Sequence, residues 1–149
     1  MNPPHYQLLG SDQRRLLDRF YREQGSRMRA VAEGQLWVAR AGTLVAGLNL
    51  SAVEDGQWLT GLFVAPAWRS QGVAGGLVDA ALAGTTTSTW LFCHPDLQRF
   101  YQRLGFAATE SLPAALTSRL ERYRRGKRLV AMARTQSSLG SSPGNSTSV

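Results

Sequence analysis

Residues 58–82 constrain this chain more than any other stretch, because they read as a strand, a glycine-containing turn and a helix in immediate succession. The apolar run Trp58-Leu59-Thr60-Gly61-Leu62-Phe63-Val64 is closed by Pro66, which has no N–H to continue a ladder. Beyond Gly72, Val73, Leu77, Val78, Ala81 and Leu82 recur on one helical face. Small residues crowd the start of that helix, in Gly72-Val73-Ala74-Gly75-Gly76. The first amides of a helix have no partner within it and lie at the positive end of its dipole, so they attract anions. Gly72, Ala74 and Gly75 let a diphosphate approach that backbone closely, and Arg69 adds a positive charge at the entrance.

The remaining periodicities set the fold around this unit. Residues 6–9 are expected as a short first strand, and Ser11 as the N-cap of an amphipathic helix carrying Leu16, Leu17, Phe20 and Tyr21 until Gly25. Residues 36–40, 44–50 and 58–64 follow as three antiparallel strands, joined through Ala41-Gly42-Thr43 and Glu54-Asp55-Gly56; Asp-Gly between apolar runs is a strong hairpin signal. Residues 89–93 then form a buried strand. It feeds a helix opened by Pro95 and Asp96, striped by Leu97, Phe100, Tyr101 and Leu104, and capped by Gly105. A strand near 106–109, a helix over 113–125 and a strand over 129–133 complete the order. The expected class is mixed α/β, with a mostly antiparallel central sheet flanked by helices. One domain is expected over residues 1–134, and the polar residues 135–149 as a disordered tail.

Composition excludes several functions. Cys93 is the only cysteine, so neither an internal disulfide nor a multi-cysteine metal site can form, and its place in Trp90-Leu91-Phe92-Cys93 reads as a packed strand thiol. His5 and His94 are the only histidines, and no metal is expected. No apolar run approaches the roughly 20 residues that cross a bilayer, and no basic flank precedes an apolar segment at the N-terminus. A cytoplasmic protein with no membrane partner is expected. The net charge of +7 is carried almost wholly by arginine, with Lys127 the only lysine. Six arginines between Arg14 and Arg29, and seven basic residues between Arg119 and Arg134, read as solvated helix faces. Tyr123 is the only aromatic among residues 119–128 and no RNA-binding motif is present, so nucleic acid is not an expected partner.

Three readings of the turn compete. A lysine-dependent phosphate loop fails because no lysine lies near it. A dinucleotide fingerprint needs glycine where Leu77 stands. A small-residue turn that merely packs a helix against a sheet stays open on these residues alone. Val64-x-Pro66 with Arg69-x-x-Gly72-x-Ala74, however, resembles the acyl-CoA-binding motif of the GNAT superfamily of N-acyltransferases. A second segment, Phe100-Tyr101-Gln102-Arg103-Leu104-Gly105-Phe106, resembles that superfamily's tyrosine-bearing helix end. The likeness covers roughly residues 35–106. Ser70 departs from it, standing where the family usually has glycine; Ala74 is an accepted alternative to the last glycine.

The resemblance implies a GNAT-like fold, acetyl-CoA as cosubstrate and an amine acceptor. It implies that Phe63, Val64, Arg69, Ser70, Gln71, Gly72, Val73, Ala74 and Gly75 contact the cosubstrate, the backbone at Phe63 and Val64 pairing with its pantetheine arm. Tyr101 is implied as hydrogen-bond or proton donor to the leaving thiolate, a phenol of ordinary pKa ~10 lying above a thiol at ~8.5. An attacking amine must shed a proton, and Glu33, Glu54, Asp55 and His94 are the candidate bases. Arg27 or Arg29 is a candidate for holding an acceptor carboxylate, the alternative being a solvated loop. Asn49 faces either the same cleft or the solvent side of its strand. The function expected is acetyl transfer to a small-molecule or peptide amine, by a monomer or homodimer. The alternatives are an acyl-CoA-binding module without turnover and a GNAT acting on an RNA- or ribosome-associated amine.

Overall fold

A computed structural model describes residues 3–135, and its backbone groups into two compact units. The first holds residues up to Ser51 together with Leu59–Ala83; the second holds Ala52–Trp58 together with the residues from Gly84 onward. Across both, the strands are mostly antiparallel and the class is mixed α/β, as the sequence predicts.

The first unit contains β1 (His5–Leu8), α1 (Arg14–Glu23), β2 (Gln35–Ala41), most of β3 (Thr43–Val53), the latter part of β4 (Gly56–Val64) and α2 (Val73–Leu82), with strand order β1-β2-β3-β4. β1 pairs antiparallel with β2, placing Tyr6 opposite Ala39, and β2 pairs antiparallel with β3, placing Trp37 opposite Leu48. Residues 45–50 of β3 are buried without interruption, so neither face of that strand meets water and its polar member, Asn49, must find partners inside. Leu17, Phe20 and Tyr21 of α1 form the core with Leu36 and Val38 of β2. Gly47 permits close approach of α1, since a Cβ there would overlap Leu17 Cδ1.

The start of α1 differs from the expectation. Ser11 does not cap it; residues Ser11–Gln13 form a 3-10 turn, and Gly10 N–H donates to Gln13 Oε1 at 3.1 Å. The glutamine side chain reaching back tightens the first turn, so the regular helix begins only at Arg14. Its end is as expected: Gly25 takes φ +73°, and Ser26 N–H donates to Tyr21 O at 2.9 Å.

The second unit contains the start of β4, β5 (Ser88–Cys93), α3 (Gln98–Arg103), β6 (Ala107–Ala108), α4 (Ala114–Arg124) and β7 (Val130–Thr135), with strand order β4-β5-β7-β6. β4 and β5 are parallel, Trp58 opposite Trp90, while β5 and β6 each pair antiparallel with β7. The helix expected from Pro95 is divided: Pro95–Leu97 form a 3-10 turn and α3 is a short six residues. Leu97, assigned to its apolar stripe, is 46% exposed because the turn rotates it off that face. Thr135, expected in the tail, belongs to β7, opposite Ser88; the rest of the expected tail, residues 136–149, lies outside the described residues.

The β3–β4 hairpin forms, but its glycine serves another purpose. Glu54 and Asp55 make the turn, with Glu54 at φ +44°, while Gly56 is already in β4. A Cβ on Gly56 would overlap the Ser88 carbonyl oxygen and the Trp90 ring, so the residue permits close approach of β5. Gly56→Ala should therefore cost about 2 kcal/mol of unfolding free energy through overpacking against rigid backbone, measured as a lower urea midpoint. An unchanged midpoint would show that β5 can yield.

Candidate active site

The turn of the first unit is built from two left-handed residues. β4 ends at Val64, Pro66–Trp68 make one 3-10 turn, and Ser70 (φ +62°) and Gly72 (φ +78°) then reverse the chain into α2. Gly72 is the N-cap; having no side chain, it offers no capping bond, and no acidic residue occupies the first turn. The first bond back along the helix is Gly76 N–H to Gly72 O at 3.0 Å. The amides of Val73, Ala74 and Gly75 precede it, as the unpaired first amides of any helix do. Above Gly72 nothing lies within 4 Å of where a Cβ would be, so the backbone is approachable. Val73 and Ala74 are themselves buried, so their side chains pack the helix while their N–H groups supply the end of its dipole.

Arg69 does more than stand at an entrance. Its Nε donates to Val64 O at 2.9 Å and its guanidinium lies over the Phe63 ring, 5.2 Å from the centroid. Phe63 is in turn edge-on to Phe20, centroids 6.0 Å apart. The turn residues Phe63, Val64, Arg69, Ser70, Gln71, Gly72, Val73, Ala74 and Gly75 are thus one local assembly, with Gln71 Nε2 bonded back to Ala67 O at 3.0 Å.

Three residues missed as a group from the sequence lie upstream in the same unit. Gly61, in the middle of β4, takes φ +66°, and its carbonyl accepts from Tyr21 OH at 2.5 Å. Asn49, fully buried, accepts from Val31 N–H at 2.9 Å through Oδ1; its Nδ2 donates to Arg29 O at 3.2 Å and Tyr21 OH at 3.4 Å. The expectation that Asn49 faces a cleft or solvent is corrected: residues 45–50 of β3 are buried, and the amide is spent on backbone groups and on the Tyr21 hydroxyl. Burial pushes the Tyr21 phenol well above its ordinary value, the Asn49 hydrogen bond partly opposing this. Asp18 Oδ1 accepts from Ala30 N–H at 2.7 Å, so the backbone of residues 29–31 is held from two elements. Arg27 and Arg29 are exposed on that segment.

In the second unit Tyr101 is half-buried on α3, edge-on to Phe100 and to Phe106. Burial, with a smaller contribution from Cys93, pushes its phenol up to about 12. Its hydroxyl makes no hydrogen bond to another described residue. Cys93 is buried, its thiol 3.6 Å from Met132 Sδ and its pKa raised by burial, which fits a packed thiol and not a nucleophile. Two candidate bases are already engaged: Glu54 Oε2 accepts from Ala115 N–H at 3.1 Å, capping α4, and His94 Nδ1 accepts from Asp96 N–H at 3.0 Å. Glu54 and Asp55 also belong to the turn before β4, at the opposite end of that strand from Phe63 and Val64. In the arginine-rich segment, Arg119 lies over Trp58 at 5.6 Å and Arg124 donates to Leu129 O.

A family model described as an acetyltransferase (GNAT) domain matches residues 32–108, more than half of the chain. The chain belongs to the GNAT acetyltransferase family. The matched range runs from the segment before β2 through the turn, α2 and Tyr101 to β6. Solved structures share the fold of this GNAT chain at low identity. ElaA of Escherichia coli has a TM-score of 0.62 at 18% identity, covering 88% of this chain and 99% of that one. An acyl-CoA N-acyltransferase from Pseudomonas aeruginosa has 0.61 at 20%, covering 89% and 99%. N-acetylglutamate synthase of Neisseria gonorrhoeae, solved with coenzyme A and L-arginine, has 0.68 at 12%, covering 91% of this chain and 34% of that one. No curated protein sequence matches the chain.

Ser70, the departure from the usual family pattern, occupies a left-handed conformation that glycine adopts freely. Ser70→Gly relieves that strain but loosens the unfolded chain, so a net gain of about 0.5–1 kcal/mol is expected. Urea unfolding reads it as a higher midpoint, and a lower one would show that the serine is held by more than its backbone.

Proposed function

We propose that this GNAT chain transfers an acetyl group from acetyl-CoA to a primary amine of a small molecule or peptide by direct attack. The observation that carries the reading is the start of α2: amides at Val73, Ala74 and Gly75 with no partner among the described residues, no capping side chain, no acidic residue in the first turn, and Arg69 at its approach. A diphosphate supplies the acceptors those amides lack. The neighbour solved with coenzyme A shares the fold and supports the choice of cosubstrate.

In the reaction so assigned, the amine nitrogen attacks the thioester carbonyl, a tetrahedral oxyanion forms, the carbon–sulfur bond breaks, and the amide and the coenzyme A thiolate leave, the thiolate reaching its equilibrium protonation in water. We assign the polarisation of the carbonyl to the backbone N–H groups at Phe63 and Val64, the Val64 carbonyl being already bonded to Arg69. One such donor aimed at an oxyanion contributes ~3 kcal/mol. The departing thiolate is assigned to Tyr101. A phenol at about 12 lies well above a thiol at ~8.5, so complete proton transfer is uphill; the phenol acts by donating a hydrogen bond to the sulfur. The amine's proton passes to water or to a carboxylate. Glu54 is poorly suited to receive it, because its oxygen holds the end of α4.

Thiol release from acetyl-CoA over a panel of primary amines tests the reading. Wild type should turn over at least one amine, and Tyr101→Phe should lower kcat by about a hundredfold. Because the raised phenol stays protonated, the rise of rate with pH should follow the amine, near pKa ~10, and keep its shape in the variant. An alkaline loss of activity at pH 8–9 that vanishes in Tyr101→Phe would contradict the assignment. Acetyl-CoA binding without turnover of any amine would favour the non-catalytic module.

A further inference from the structure

The network around Gly61 is more elaborate than packing requires. A strand under a covering helix ordinarily pairs its backbone with neighbouring strands and asks nothing of side chains. Here a left-handed glycine interrupts β4, and its carbonyl is taken by a phenol from α1. A Cβ at Gly61 would lie 2.5 Å from Asn49 Nδ2 and 2.8 Å from Tyr21 OH, so the kink and the two side chains fit only together. Asn49 then reaches the other way, holding Val31 N–H and Arg29 O, while its Nδ2 also lies 3.5 Å from Thr60 O, next to the kink. One fully buried amide therefore joins the segment bearing Arg29 to the strand that runs, two residues past Gly61, into Phe63 and Val64.

We infer that Tyr21 and Asn49 are positioning residues for the acyl-transfer step: they hold the Gly61 kink so that the Phe63 and Val64 backbone is aimed, and tie that aim to the 29–31 segment. The inference rests on the proposed acetyl-transfer function. It assigns these residues no contact with substrate. A buried phenol and a buried amide that spend their hydrogen bonds on backbone set geometry, and geometry acts on the rate of the chemical step more than on ground-state binding. Diphosphate binding is assigned to α2 and is separate from the network, so it survives the loss of one hydroxyl.

The test uses the full chain, acetyl-CoA as probe, and amide hydrogen exchange alongside kinetics. In wild type, saturating acetyl-CoA should slow exchange at residues 60–64 and also at 29–31. In Tyr21→Phe, which keeps the ring and removes only the hydroxyl, protection at 29–31 on binding should disappear. Its Kd for acetyl-CoA, by titration calorimetry, should stay within about twofold while kcat with the best amine falls by about tenfold or more. The inference is overturned if wild type shows no added protection at 29–31, or if Tyr21→Phe lowers affinity and kcat in parallel, or neither. Asn49→Ala should reproduce the kinetic split; if it folds and leaves kcat unchanged, the link through Asn49 is wrong. Wild type that fails to bind acetyl-CoA at millimolar concentration overturns the functional reading itself, a failure seen without any variant.

Discussion

The fully buried side chain of Asn49 sets the terms for the first unit. Residues 45–50 of β3 are buried, so an amide at that position must find protein partners or cost several times what a hydrogen bond contributes. It finds them in the backbone of residues 29 and 31, in Tyr21 and beside the Gly61 kink. The loop after α1 and the bend in β4 are thus consequences of one satisfaction problem. The direction in which β4 delivers Phe63, Val64 and the following turn depends on that bend.

Downstream, the turn solves a different problem. A helix whose first residues are valine, alanine and glycine has no side-chain acceptor for its own amides, and Gly72 as N-cap supplies none. The left-handed pair Ser70 and Gly72 turns the chain into α2, and Arg69, fixed to Val64 and Phe63, adds a full positive charge to the turn. A stability-driven design would place serine or aspartate at the cap. Glycine stands there because the position is left-handed, at φ +78°, and it leaves the first amides without a side-chain cap.

Much of this was legible from sequence. The apolar runs bounded by turn residues point to the strands, Gly25 and Gly105 to helix ends, and the glycine-containing turn to the left-handed entry into α2, because each is a local pattern. What escaped was long-range. Glu54 capping α4 spans 61 residues, and Asn49 reaching Tyr21 spans 28, so neither leaves a periodic trace. Gly56 was read as a turn residue when its role is to admit the Ser88 carbonyl, and Gly61 was hidden inside an ordinary apolar run. Leu97 fell outside its stripe because a 3-10 turn advances the chain by a different angle from an α-helix. The clue that was available for the network was a polar asparagine in the unbroken run Leu44 to Leu50, flanking an isolated glycine in the next strand.

The central claim is that the start of α2 receives a diphosphate. Titrating isotopically labelled protein with acetyl-CoA and following backbone amide resonances tests it directly. The account predicts that the N–H signals of Val73, Ala74 and Gly75 move most, with the displacement reproduced by coenzyme A lacking the acetyl group. Resonances of these three that stay fixed while the protein saturates would contradict it.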